Sequence, residues 1–97
     1  VYANPTCERL FMAYTNVKRI KFNNLFDTSR VEDMEDMFSY CRNLEEIDVS
    51  GFDTSKVVFM QSMFEECRKL KTLDISNFRY KENVITDDMF KNSGITR

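Results

Sequence analysis

Residues 44–67 read LEEIDVSGFDTSKVVFMQSMFEEC, and the opening of that stretch returns at residues 70–78 as LKTLDISNF. The Met-Phe pair inside it recurs as Met37-Phe38, Met63-Phe64 and Met89-Phe90. Self-similarity at a fixed spacing marks a repeat protein, in which one unit cannot bury its apolar face alone and stacks on the next. Within the unit, Leu44, Ile47, Val49 and Phe52 follow L-x-x-L-x-L-x-x-F, and the alternation of Ile47 and Val49 predicts a short strand with one buried face. Asp53-Thr54-Ser55 then reads as a helix cap. Val57, Met60, Met63, Phe64 and Cys67 fall at i, i+3, i+6, i+7 and i+10, a spacing that predicts one apolar stripe on a helix.

The same grammar extends outward in both directions. Toward the N-terminus, Val17, Ile20 and Phe22 repeat the strand, an extra residue near Leu25 lengthens the unit, and Ser29 with Glu32 has capping-box spacing. Val31, Met34, Met37, Phe38 and Cys41 form the matching stripe. Asn4-Pro5 opens an earlier helix carrying Cys7, Leu10, Phe11 and Tyr14. Toward the C-terminus the pattern decays: Arg79-Tyr80-Lys81 stands where Asp-Thr-Ser is expected, and Met89 and Phe90 persist before Ser93-Gly94, a helix stop. The expected order is α, β, α, β, α, β, α, with strands near 18–22, 45–50 and 71–76. Strands in this order normally pair in parallel through helical crossovers. Stacking then predicts two aromatic columns, Phe26, Phe52, Phe78 and Phe11, Phe38, Phe64, Phe90.

Ninety-seven residues, 42% of them apolar and 31% charged, fit one globular domain. That domain spans residues 1–97, with coils at approximately 1–16 (partial), 17–42, 43–68 and 69–97. The apolar runs are far too short for a bilayer span, and the start lacks signal-peptide character, so the chain reads as a processed product or an excised piece. A formal charge of −2 offers no basic field for nucleic acid. Three cysteines without C-x-x-C spacing describe neither a disulfide framework nor a zinc site. Cys41 and Cys67 are equivalent positions of successive units and are expected as buried thiols, as is Cys7. Met34, Met60, Met37, Met63 and Met89 repeat in core register rather than as metal ligands.

The runs Phe52-Asp53-Thr54-Ser55-Lys56-Val57 through Met60, Met63-Phe64 and Cys67, and Leu70 through Asn77-Phe78, resemble the BspA-like 26-residue surface-protein repeat, which belongs with the leucine-rich repeats. The resemblance covers about residues 17–93 and is closest over 26–78. It implies an α/β, leucine-rich-repeat-like solenoid of three to four coils, with a short parallel β-sheet on one side and helices on the other. It further implies a surface, secreted or lipoprotein location and a role in adhesion. Tyr14 and Ser93 depart from the family pattern where Cys is expected.

No catalytic or cofactor site is expected. The chain has no His, the commonest general base, and its two glycines form no phosphate loop. Asp27 and Asp53 are expected to form turns or caps rather than a calcium loop, because Ca²⁺ takes six to eight oxygens. The expected partner surface lies on the polar residues flanking the buried strand positions: Lys18, Arg19, Lys21 and Asn23; Glu45, Glu46, Asp48 and Ser50; Lys71, Thr72, Asp74 and Ser76. Arg19 should meet Glu46, and Lys21 should meet Asp48, across neighbouring strands. That face would recognise a protein or glycan; the alternative is a structural spacer displaying another domain. Val58 and Phe59, with Val84 and Ile85 one coil later, make a second, apolar association patch. Self-association is expected through this helical face or through open sheet edges.

Overall fold

The computed structural model describes residues 4–22 and 26–95, so Asn23 and Leu25 lie outside the described residues. The chain stacks repeat upon repeat within 29 × 27 × 22 Å, with strands β1 (Arg19–Lys21) and β2 (Glu46–Asp48) paired in parallel. A second parallel row runs through Thr6, Asp33, Phe59 and Ile85 as isolated bridges. Each link of that row joins one repeat to the next.

The expected α/β architecture is overturned, because the described residues contain no helix and only these two short strands. The stretches carrying the apolar stripes are ribbons of overlapping turns. Their amides alternate between two kinds of acceptor, which accounts for the backbone without a helix. In the second coil Met37, Ser39 and Cys41 donate to the carbonyls of Met34, Asp36 and Phe38, three residues back. The intervening amides of Met34, Asp36, Phe38 and Tyr40 donate to Phe59, Gln61, Met63 and Glu65 of the next coil. The coil before and the coil after repeat the scheme, Cys7 to Ala13 bonding Asp33 to Ser39 and Met60 to Glu66 bonding Ile85 to Lys91.

Left-handed residues shape these ribbons. Arg9 and Ala13, Asp36 and Tyr40, Ser62 and Glu66, and Asp88 and Asn92 all have φ between 55° and 63°. A positive φ every fourth residue is incompatible with an α-helix and costs about 1–2 kcal/mol at a residue with a Cβ. Bonds to the neighbouring coil offset that cost, so stacking overrides local helix propensity.

The apolar positions of the two middle coils are nevertheless the expected ones, whereas Leu10 and Tyr14 of the first stripe are exposed. Val31, Met34, Met37, Phe38, Cys41 and Leu44 are fully buried, as are Val57, Met60, Met63, Phe64, Cys67 and Leu70. Phe11, Phe38, Phe64 and Phe90 stack nearly parallel, with centroids 5.5, 5.3 and 5.8 Å apart. In the other column Phe26 and Phe52 meet at 6.2 Å with tilted rings.

The presumed helix caps also serve another purpose. Asp27 and Asp53 accept the amides of Ser29 and Ser55, closing Asx-turns. The threonine between them turns inward. Thr28 Oγ1 donates to the carbonyl of Asp53 at 3.1 Å and accepts its amide at 2.8 Å. Thr54 does the same to Arg79, at 2.9 and 2.7 Å.

The expected third strand, near 71–76, does not form, and a side chain ties that level to the one before it. Asn77 Nδ2 donates to the carbonyls of Val49, Ser50 and Phe52. Gly94, expected as a helix stop, is required by close approach instead. A Cβ there would lie 2.5 Å from the Arg68 carbonyl oxygen and 3.0 Å from that of Leu70. Gly94→Ala should therefore destabilise the chain by about 1–3 kcal/mol, read as an earlier urea midpoint. An unchanged midpoint would mean that the segment after Cys67 yields freely.

Candidate functional site

The polar strand face is assembled by the coil register itself. A shift of one repeat places Arg19 opposite Glu46 and Lys21 opposite Asp48, as the sequence spacing predicts. Arg19 Nε lies 3.2 Å from Glu46 Oε2, and each side chain is 65% exposed, so the pair is weak and accessible. Asp48 titrates below the usual carboxylate range because the Ser50 hydroxyl and amide donate to it, with Lys21 adding to the effect. Asp74 is lowered by the Ser76 amide and hydroxyl, against opposing pushes from burial and then from Asp48.

Of the expected face, Lys18, Arg19, Lys21, Glu45, Glu46, Asp48, Lys71, Thr72 and Asp74 are exposed, as are Ser50 and Ser76. They fall into a basic row, an acidic row and a mixed row. Between the second and third rows, where strand pairing fails, lies an open depression of about 550 Å³ floored by Ile47 and Leu73 and walled by Glu46, Thr72 and Asp74. Half-buried apolar atoms flanked by the carboxylates of Glu46 and Asp74 suit a ligand with an apolar body and hydroxyl or amine donors.

The apolar patch is present in altered form. Phe59 and Ile85 are 37% and 40% exposed and stand side by side as bridge partners. Val58 and Val84 are half-buried, and Val84 packs against the core. There is no helical face for them to occupy among the described residues. The patch lies along the row of isolated bridges instead.

The three thiols are free and buried. Cys41 and Cys67 donate to the carbonyls of Phe11 and Phe38 in the preceding coils, at 3.2 and 3.1 Å. Burial pushes the Cys67 thiol up to about 12, with the neighbouring Cys41 adding to the shift. Burial raises Cys41 as well, and Cys7 is raised by burial and by Asp33. A thiol reacts as its thiolate, so native Cys67 should label with an aromatic disulfide reagent about 10³-fold more slowly than in denaturant. Labelling at comparable rates would refute the burial.

One cluster escaped the sequence reading. Glu8, Asp33 and Glu35 bring three carboxylate oxygens within 4.8 Å of one another. Burial, then Glu8, Asp36 and Asp33, raise Glu35 above the usual range. Three oxygens fall short of a calcium shell. The usable signal was that Glu8 and Glu35 occupy equivalent positions of successive coils. The carboxylates of Asp27 and Asp53, by contrast, are engaged in turns.

Comparison with known proteins gives one family. A family model described as "Mycoplasma protein of unknown function, DUF285" matches residues 6–95. No curated protein matches the chain. No solved structure matches it.

Proposed function

The chain belongs to the DUF285 repeat family, and from that premise we propose that it is a non-catalytic binding module displayed at a cell surface or secreted, recognising a protein or glycan through its polar strand face. The observation that carries this reading is the exposure of these polar residues beside the Ile47–Leu73 depression, which Glu46, Thr72 and Asp74 line. A solvated face made only for solubility has no need of an apolar floor. The closeness of residues 26–78 to the BspA-like surface repeat supports the surface location, and with it an adhesive role and a place in lipoproteins.

The absence of histidine favours binding over catalysis. The ligand in view has donors for Glu46 and Asp74 and a flat apolar face for Ile47 and Leu73, as amino sugars and basic, aliphatic peptide segments do. A glycan array and an array of basic peptides, probed with the labelled chain, test this directly. A ligand found there should bind at least tenfold more weakly to a Glu45→Lys/Glu46→Lys/Asp48→Lys variant whose thermal melting is unchanged. Full binding by the folded variant would exclude this face. Absence of any saturable ligand would leave the spacer role as the better account.

A further inference from the structure

The repeat breaks at one position in a way that the strand face does not explain. Asp27, Asp53 and Arg79 are equivalent residues of successive coils, and the first two close turns on Ser29 and Ser55. At the third, a cation replaces the carboxylate. Arg79 and Asp53 line one open pocket of about 460 Å³, together with Ser50, Phe52, Ser55 and Asn77. The Ser55 hydroxyl and amide hold Asp53 below the usual carboxylate range, and the charges of Arg79 and Lys56 add to the effect. Among the described residues, however, Arg79 and Asp53 do not close an ion pair. An arginine present only to neutralise Asp53 would close it.

Bonds across the coil boundary fix the walls of this pocket. Asn77 Nδ2 donates to the carbonyls of Val49, Ser50 and Phe52 at 3.3, 3.0 and 2.9 Å, so what Asn77 has left for a ligand is its Oδ1 acceptor. Thr54 Oγ1 holds the backbone of Arg79 at both its amide and its carbonyl. The Ser50 and Ser55 hydroxyls donate to Asp48 and Asp53, which leaves their oxygens as acceptors. An ionised carboxylate has about four acceptor positions, and Ser55 fills only part of those on Asp53. The pocket therefore combines one guanidinium with several preset acceptors.

We infer that this pocket binds an acidic sugar ring of the uronic-acid type, the terminal residue of a glycan, with its carboxylate on Arg79 and its hydroxyls on Asp53 and Asn77. A guanidinium takes a carboxylate through two parallel N–H donors. Each ring hydroxyl brings one proton to the acceptors of Asp53, Asn77 and the serines. One anion with several neutral donors is the pattern of a sugar acid. A zwitterionic amino acid brings a single ammonium, and a phosphate brings too few protons and is repelled by Asp53. Phe52, 4% exposed, gives the floor an apolar edge for the C–H face of a ring. The volume falls within the ~300–1,000 Å³ of small-molecule sites. No residue is shared with the Ile47–Leu73 depression, whose flanking carboxylates disfavour an anion.

Titration of the chain with methyl glucuronide tests the proposal, read from the NMR shifts of the backbone amides of residues 50–55 and 77–79 and of the Asn77 side-chain amide. These shifts should saturate at millimolar sugar, as suits a single small ring. Methyl glucoside, which lacks only the carboxylate, should bind roughly tenfold more weakly. Acetate, which has the carboxylate and no hydroxyls, should not saturate in the same range. Arg79→Gln should weaken glucuronide binding roughly tenfold, with thermal melting unchanged, and Arg79→Lys, which keeps the charge without the fork, should weaken it less. Glu46→Gln, in the other depression, should leave it unaltered.

Absence of saturable glucuronide binding would overturn the proposal. So would a folded Arg79→Gln variant that binds fully, or glucoside or acetate binding as well as the glucuronide does. Loss of binding in Glu46→Gln and not in Arg79→Gln would move the sugar to the Ile47–Leu73 depression and equally overturn it. A ligand of the strand face should be lost with the Glu45/Glu46/Asp48 variant and kept by Arg79→Gln, so the two sites fail separately.

Discussion

Phe64→Ala should remove about 3–5 kcal/mol of stability, the largest loss expected from any single truncation in the chain. Phe64 is fully buried and is sandwiched between Phe38 at 5.3 Å and Phe90 at 5.8 Å. Its deletion both opens a ring-sized cavity and interrupts the column that crosses three coil boundaries. Whole domains of this size are stable by only about 5–15 kcal/mol, so much of the variant should be unfolded at moderate denaturant. Phe59→Ala is the matched control, because that ring is 37% exposed and its loss should cost less than about 1 kcal/mol. Equal urea midpoints for the two variants would show that the aromatic column contributes nothing special to stacking.

Thr54→Val, which keeps the side-chain shape, should cost about 2 kcal/mol and should be worse than Thr54→Ser. The valine preserves the volume but withdraws the hydroxyl from the amide and carbonyl of Arg79, leaving both unpaired at the coil boundary. The serine keeps both hydrogen bonds and loses only a methyl group, worth about 0.8 kcal/mol. Two denaturation curves decide the matter. If valine is the better tolerated, Thr54 is a packing residue and the hydrogen bonds across the boundary are incidental.

Much of this organisation is legible in the residues, and the part that is not has a definite cause. The period of the repeat gives the coil register, and the register alone predicts that Arg19 faces Glu46 and Lys21 faces Asp48. The buried set around Met34 to Cys41 and Met60 to Cys67 follows from the same repetition. What repetition does not reveal is the local conformation. Residues at i, i+3, i+6, i+7 and i+10 gather on one side of a helix, and they gather equally on the inner side of a ribbon of three-residue turns. Their mean spacing is shorter than the 3.6 residues of a helical turn, a hint in favour of the ribbon.

The decisive information lies instead in where the amides of Asp36, Tyr40, Ser62 and Glu66 go, and each finds its acceptor one coil away. None of these residue types announces a left-handed conformation as glycine would. Tyr40 and Glu66 adopt it because the next coil rewards it. In the same way, Asp-Thr-Ser is a sound helix cap by composition. Only the neighbouring coil shows that the threonine reaches across, whereas the turn that the aspartate closes is local and is one of the two expected roles.

The bonds between neighbouring turn ribbons have an electrical consequence. In the peptide joining Asp33 to Met34 the carbonyl points toward the first coil and the N–H toward the third, and the peptides 35–36, 37–38 and 39–40 share that alignment, as do their counterparts at 59–60 to 65–66. A peptide group carries a dipole of about 3.5 D, and here the dipoles add along the stacking axis rather than along the chain. Each ribbon is poled along the stack, its N–H groups toward the later coil and its carbonyls toward the earlier one, opposed only in part by the peptides 32–33 and 58–59 of the bridge row. Every coil added to such an array would lengthen the same dipole.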